Sequence, residues 1–465
     1  MKNKEKNLKV IPVLGLQWGD EGKGKFIDFL VKSLSKKQKL LVARFQGGSN
    51  AGHSIFFEDK QIVFHIIPSG ILEKGTHNLI GAGVNIDVIS LKKEINEIKN
   101  MAPWWHSNLF VAREASIVVP TAKLIEGVEK NRRGFGNIGT TGKGIGPTYS
   151  DFYGRTDDLA VYETENEKVF KKRYQEIKIS HLKTLSGKYN AKVDKKELAK
   201  AEKIFFDGVK FLRTLNIVSC HSFLINERSQ GRQVIAEGGQ GTLLDVRFGT
   251  RFDVTSSHTT SASVCVGLGL PPSTIGKVLG VFKAYATRVG NGPMPTEIGK
   301  KESFKWASTK KRVDEENLNY NINNPNPLHQ GIAIRAIGKE YGATTGRLRR
   351  VAWLDIPLLQ YAITLNGITH LGITKIDILD NLKKIPVCIS YKNSSYIDMN
   401  KLDKAIPIYK IFPGWEKSTK GCTSYKDLPL EAKNYLKFIE KELGIPIAFI
   451  STGPKRNQMI KMKKL

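Results

Sequence analysis

The sequence predicts an α/β fold: a large, mostly parallel central sheet flanked by helices, with a phosphate-binding loop near its start. Three observations carry this. Short apolar, β-branched runs recur along the 465 residues, helical patterns separate many of them, and several runs end directly in Gly-rich or polar clusters. Parallel sheets place their ligand loops at such strand ends. The first strand is expected in 8–16 (LKVIPVLGL), and a helix over 26–34 (FIDFLVKSL) follows its Gly-rich turn. LLVARF (40–45), HNLIGAG (77–83), QVIAEG (233–238), ITHLGIT (368–374) and IPIAFIST (445–452) repeat the strand pattern, while 86–99 and 356–365 read as helices. In 194–212, Leu198, Ala201, Phe205, Val209 and Leu212 recur at helical spacing, with the lysines mostly on the other side. No repeat or long linker divides the chain, so residues 1–465 read as one domain. Residues 300–330, a basic run followed by NLNYNINNPNP, read as a surface insertion.

Lys and Arg number 73 against 44 Asp and Glu, a net charge of +29. Such a chain suits anionic partners: nucleic acid, lipid or small anionic substrates. The charge is dense in 168–203, 300–312 and the tail KRNQMIKMKKL. In the helical stretch it lies opposite the apolar stripe, as on a solvated face. No aromatic-interleaved RNA motif or DNA-binding helix pair accompanies it, so no specific nucleic-acid partner is expected. Cys220, Cys265, Cys388 and Cys422 are scattered without a CxxC pair, which argues against a disulfide scaffold or structural zinc. No run approaches 18 apolar residues and the first ten lack a signal-peptide core, so the expectation is a cytoplasmic protein without a membrane segment.

Seven motifs carry chemistry. Gly19, Gly24 and Lys25 in GLQWGDEGKGK have the GxxxxGK spacing of a phosphate loop, in which backbone N–H groups converge on phosphate oxygens. Phe26 replaces the usual magnesium-binding Ser or Thr, which counts against a GTPase switch; either the loop match is accidental or another residue holds the metal, and Asp20, inside the loop, is the obvious substitute. QGGSNAGH (46–53) places His53 after a strand, where it suits a general acid near phosphate. GTTGKGIGP (139–147) suits anions. EGGQGT (237–242) follows a strand and is itself followed by Thr255-Ser256-Ser257. GATTGRLRR (342–350) offers guanidinium forks for carboxylate or phosphate. Thr374-Lys375-Ile376-Asp377 has the K-x-D form that reads guanine, since one carboxylate accepts from both N1–H and the 2-amino group. Ser451-Thr452-Gly453 suits the same base pocket.

Together GDEGKGK, GGSNAGH, GTTGKGIGP, GQGTLLD (239–245), VTSS (254–257), GATTGRLRR, TKIDIL (374–379), FPGW (412–415) and ISTGP (450–454) resemble adenylosuccinate synthetases, in consistent order over about 8–460. The resemblance implies a ligase of purine biosynthesis. It joins aspartate to IMP, using GTP and Mg2+, through a 6-phosphoryl-IMP intermediate, on the route to AMP. It also implies a homodimer. The catalytic set it implies is Asp20, His53 and Gln240, with Asp20 and the Gly52 carbonyl on the metal. For GTP it implies Gly19, Asp20, Glu21, Gly22, Lys23, Gly24, Lys25, Gly52, His53, Ser54, Arg349, Lys375, Ile376, Asp377, Ser451, Thr452 and Gly453. For IMP it implies Asp20, Lys23, Asn50, Ala51, Gly52, His53, Thr141, Gln240, Thr255 and Arg347, with Arg155 reaching across the dimer. For aspartate it implies Ala343, Thr344, Thr345, Gly346, Arg347, Leu348 and Arg349. The sequence departs from the family pattern at Arg251-Phe252-Asp253, His258, Ser261-Ala262-Ser263 and Leu348. A phage branch uses dGMP in place of IMP and lacks the catalytic Asp; the presence of Asp20 favours the IMP reaction.

Overall fold

The computed structural model describes residues 9–463 except 59, 133–140, 316, 317, 319, 343–345 and 393–396, and except the side chains of 130–132. Among the described residues a ten-stranded sheet forms the centre. Its strands are β1 (Ile11–Gly15), β2 (Leu40–Arg44), β3 (His77–Ile80), β4 (Leu109–Ala112), β5 (Asn216–Val218), β6 (Gln233–Glu237), β7 (Leu279–Lys283), β8 (His370–Thr374), β9 (Ile447–Ser451) and β10 (Met459–Lys461). Their spatial order is β5-β4-β3-β2-β6-β1-β7-β8-β9-β10. All neighbours are parallel except β9 and β10. The chain spreads from β2 out to β5, returns to insert β6 beside β1, and then grows the other way through β7, β8 and β9. That reversal at β1 makes its carboxyl end the switch point where open α/β sheets bind ligands.

Both faces of the sheet are covered, so its strands are apolar at successive positions. In β2, Leu40 and Val42 join the core under α1 (Lys23–Leu34), while Leu41 and Ala43 join the larger core on the opposite face. Phe26, Ile27, Leu30 and Val31 form the buried side of α1. Phe26 is fully buried and meets Phe449 edge-on, ring centroids 6.1 Å apart. A Cβ on Gly372 of β8 would lie 2.7 Å from the Phe26 ring. The position after Lys25 is therefore core, not a metal ligand.

The expected strands are present, each trimmed by one to three residues at its ends; β4, β5, β7 and β10 were not read from the sequence. The predicted helices appear as Val88–Ile98 and Ile356–Asn366. Helix Lys195–Leu212 buries Leu198, Phe205, Val209 and Leu212, half-buries Ala201, and exposes Lys195, Lys196, Lys200, Lys203 and Lys210. Described residues within 300–330 pack onto the rest of the fold. Lys300–Thr309 is helical, and fully buried Glu315 accepts hydrogen bonds from Arg335 and Trp306. These contacts fasten the segment to helix Pro327–Gly338.

Candidate active site

A cavity of about 1530 Å³ opens at the carboxyl ends of β1, β2, β6, β8 and β9, where the loops of most of the motifs converge. Within 19–25 the backbone turns left-handed at Gly19 (φ 85°), Asp20 (φ 60°) and Gly22 (φ 90°). The first and last need glycine. Glu21, fully buried, folds back and accepts hydrogen bonds from the backbone N–H of Gln17 (3.1 Å) and Gly19 (2.8 Å). It also pairs with Lys23 at 2.8 Å, and Lys23 donates to the Gln240 carbonyl. Lys25 donates to Ser451 Oγ (2.6 Å), the Gly453 carbonyl and the Gln458 carbonyl (2.8 Å). Burial, aided by the charge of Lys375 and opposed by Asp377 and Asp28, lowers its ammonium to about 7.

The second and fourth motifs interlock, and Tyr149, just past the third, ties into the second. Tyr149 OH accepts from Gly47 N–H (2.8 Å) and donates to the Gly83 carbonyl (2.8 Å). Gln46 donates to the Gly239 carbonyl at 2.9 Å. Asn50 accepts from Gln240 Nε2 at 3.1 Å and donates to Thr255 Oγ1 at 3.3 Å. The amide oxygen of Gln240 is buried without a hydrogen-bond partner. His53 Nδ1 bonds Glu237, whose carboxylate also accepts from Ser69 N–H (2.8 Å) and Ser69 Oγ (2.6 Å). The other ring nitrogen of His53, Nε2, has no hydrogen-bond partner, and the residue lines the cavity. An imidazole oriented by a buried carboxylate, with its far nitrogen free for substrate, suits proton transfer or donation to developing charge. Burial depresses the His53 pKa, with Glu237 opposing.

On the far side of the phosphate loop, Arg349 pairs with Asp20 (2.7 Å) and with Glu340 (2.6 Å). Glu340 is fully buried, meets Lys283 at 2.8 Å and accepts from Tyr285 OH at 2.6 Å. Burial opposes its charge, yet Lys283, Lys375 and Arg349 hold its pKa well below the usual range. Asp377 lines the cavity, and its Oδ1 is buried without a hydrogen-bond partner. Burial raises its pKa, with Lys375 opposing.

The adenylosuccinate synthetase family model matches residues 12–460. The chain belongs to the adenylosuccinate synthetase family. The adenylosuccinate synthetase of Flavobacterium johnsoniae is 39% identical over 453 residues, 96% of this chain and 98% of that one. The structure of the fully ligated enzyme from Plasmodium falciparum superimposes with a TM-score of 0.83 at 33% identity, covering 98% of this chain and 100% of that chain. Cyanophage S-2L succinoaminodeoxyadenylate synthetase, bound to dGMP and dATP, shares the fold with a TM-score of 0.55 at 16% identity, covering 98% of this chain and 96% of that one.

Within this family member the cavity wall carries Gly19 to Lys25, Asn50 to Ser54, Thr141, Gln240, Thr255, Arg347, Arg349, Lys375, Asp377, Ser451 and Gly453. Ile376, Thr452 and Leu348 are buried off the wall, Thr452 donating to the Cys422 carbonyl at 2.7 Å, and Gly346 is exposed off it. Arg155 is exposed at the end of helix Ile145–Gly154 and does not itself line the cavity, although Tyr153 and Asp157 beside it do. Ala343, Thr344 and Thr345 lie outside the described residues. Glu237 and Glu340 were missed as site residues. Their signal is a Glu at the end of a fully buried strand and one just ahead of the Gly/Thr/Arg loop: charges so placed need partners. Of the departures, Arg251, Phe252, Asp253 and His258 line the cavity, and His258 Nδ1 lies 3.4 Å from Asp245.

The residues expected to hold Mg2+ fit it. Asp20 and Gly52 offer a carboxylate and a carbonyl on the cavity wall beside the phosphate loop. Mg2+ takes hard oxygen donors and commonly uses one or two carboxylates together with substrate phosphates.

Proposed function

We infer that this protein catalyses the GTP-dependent ligation of aspartate to IMP, giving adenylosuccinate, GDP and phosphate. The observation that carries the reading is the meeting, in one cavity, of Asp20, Asp377 and a His53 that bonds Glu237. The C6 oxygen of IMP is a poor leaving group. Asp20 takes the N1 proton, O6 attacks the γ-phosphorus and the bond to GDP breaks. The aspartate amine then adds to C6, loses a proton, and the C6–O bond breaks to release phosphate. His53 stabilises charge on the transferring phosphoryl group. Gln240 and Asn50, with Thr141 and Thr255, hold IMP; Arg347 takes the aspartate carboxylates; Lys25, Ser451 and Asp377 hold GTP. Bound Mg2+ supplies charge neutralisation on the phosphates, held by Asp20 and the Gly52 carbonyl.

The working unit in this reading is a cytoplasmic homodimer in which Arg155 reaches the IMP phosphate of the partner subunit; the exposed place of Arg155 supports it. An assay of adenylosuccinate formation, omitting IMP, aspartate, GTP and Mg2+ in turn, tests the function. Each omission should abolish product. GTP hydrolysis without IMP or aspartate would return the protein to the switch class.

A further inference from the structure

Glu129, Asp151, Asp157, His181 and Tyr189 also line the cavity, and the ligation assigns them no role. Asp151 sits on helix Ile145–Gly154, His181 on helix Glu167–Gly187, and Asp157 on the connection between them. One oxygen from each carboxylate and one ring nitrogen lie within 4.8 Å of one another. His181 is 2% exposed. Its Nε2 lies 3.2 Å from Asp151 Oδ2, yet makes no hydrogen bond. The nitrogen is thus deeply buried beside the Asp151 carboxylate without hydrogen-bonding it.

Outer contacts orient two of the three groups. His181 Nδ1 is 2.8 Å from Thr121 Oγ1, and Ser180 Oγ donates to Asp157 Oδ2 at 2.7 Å. Metal-binding imidazoles and carboxylates characteristically have such second partners. With metal–ligand bonds of about 2.1 Å, adjacent donors sit roughly 3 Å apart, the spacing found between His181 and Asp151.

We propose that Asp151, Asp157 and His181 bind a divalent first-row transition cation of the Mn2+ type, at a site separate from the Asp20–Gly52 position. An imidazole among the donors favours such an ion over Mg2+, which prefers oxygen alone. Arg155 lies between two of the ligands in sequence, in a left-handed turn at φ 58°. The cation therefore clamps the segment on both sides of Arg155 and fixes how that guanidinium is presented. This consequence rests on the role proposed for Arg155; the binding itself does not.

The test is a Mn2+ titration of the full-length protein without nucleotide, followed by electron paramagnetic resonance. The wild type should take up one Mn2+ per chain with a ¹⁴N electron-spin-echo modulation from the imidazole. Asp157→Asn and His181→Gln should each weaken binding at least about tenfold, and His181→Gln should remove the modulation. Asp20→Ala should keep both. Asp157 is half-buried, so its variant guards against misfolding of the His181 variant. Mn2+ should raise the Tm of the wild type and not that of Asp157→Asn. No uptake by the wild type, or equal affinity in Asp157→Asn, overturns the proposal.

Discussion

Glu237→Gln keeps the size of the side chain and removes its charge. Wild-type Glu237 is fully buried and accepts hydrogen bonds from Ser69 N–H, Ser69 Oγ and the His53 ring. Burial opposes its ionisation, but His53, Arg44 and Ser69 together hold its pKa below the usual carboxylate range. In the variant, one amide orientation sets N–H against the Ser69 N–H. The other faces the His53 Nδ1 and drives the proton to Nε2. Arg44, fully buried, loses the carboxylate that most favours its charge. An unpaired buried donor costs about 1–3 kcal/mol, and breaking a buried ion pair from one side costs about 3–5 kcal/mol. The whole change should therefore destabilise the protein by about 3–5 kcal/mol. The misdirected imidazole should lower kcat by roughly 10²–10⁴, with smaller changes in KM for IMP and GTP. Because the folded pKa is depressed, the stabilisation is present above the unfolded value and lost as pH falls through the folded one. The stability gap between wild type and variant should thus narrow below about pH 4. Steady-state kinetics and urea unfolding across pH measure both. A kcat within about threefold of wild type, with an unchanged pH profile, would refute the positioning role.

Asp20→Ala should lower kcat by about 10²–10⁴ or more while GTP binding changes little; near-normal turnover would remove Asp20 from the chemistry. Lys25, at about 7 in the free protein because of burial, must be charged to hold phosphate. GTP affinity should be flat below pH 7 and weaken by up to about tenfold per pH unit above it. Calorimetry at pH 8 in two buffers should show proton uptake on GTP binding, absent in Lys25→Arg; no uptake in the wild type contradicts the assignment. Asp377→Asn presents a donor and an acceptor in place of two acceptors, which matches xanthine. It should lose GTP and gain XTP, measured as kcat/KM for GTP, ATP and XTP; equal loss with all three would mean that Asp377 does not read the base.

Much of this was legible because parallel strands announce themselves. Each of β1, β2, β6, β8 and β9 is a short apolar run ending in residues that only a ligand loop explains. β7 (LGVFK) is fully buried yet hard to read as a strand, because Lys283 at its end breaks the apolar run. That lysine is tolerated only because Glu340, 57 positions away in sequence, neutralises it. The same cause hid the outer layer of the site. Asp20 and His53 were legible from local motifs. Their supports, Glu340 through Arg349 and Glu237 with Ser69, are long-range pairings that one sequence does not print. Phe26 was legible as an anomaly; its reason, a packing slot against Gly372 and Phe449, lies in the fold.

The most direct test of the ligation chemistry uses IMP labelled with ¹⁸O at C6. If O6 attacks the γ-phosphorus and later leaves with it, the phosphate released during turnover carries that ¹⁸O, and adenylosuccinate carries none. Mass spectrometry of the phosphate should find one label per product formed, dependent on IMP, aspartate and GTP together. Phosphate bearing only solvent oxygen would show hydrolysis of GTP by water and would contradict the account.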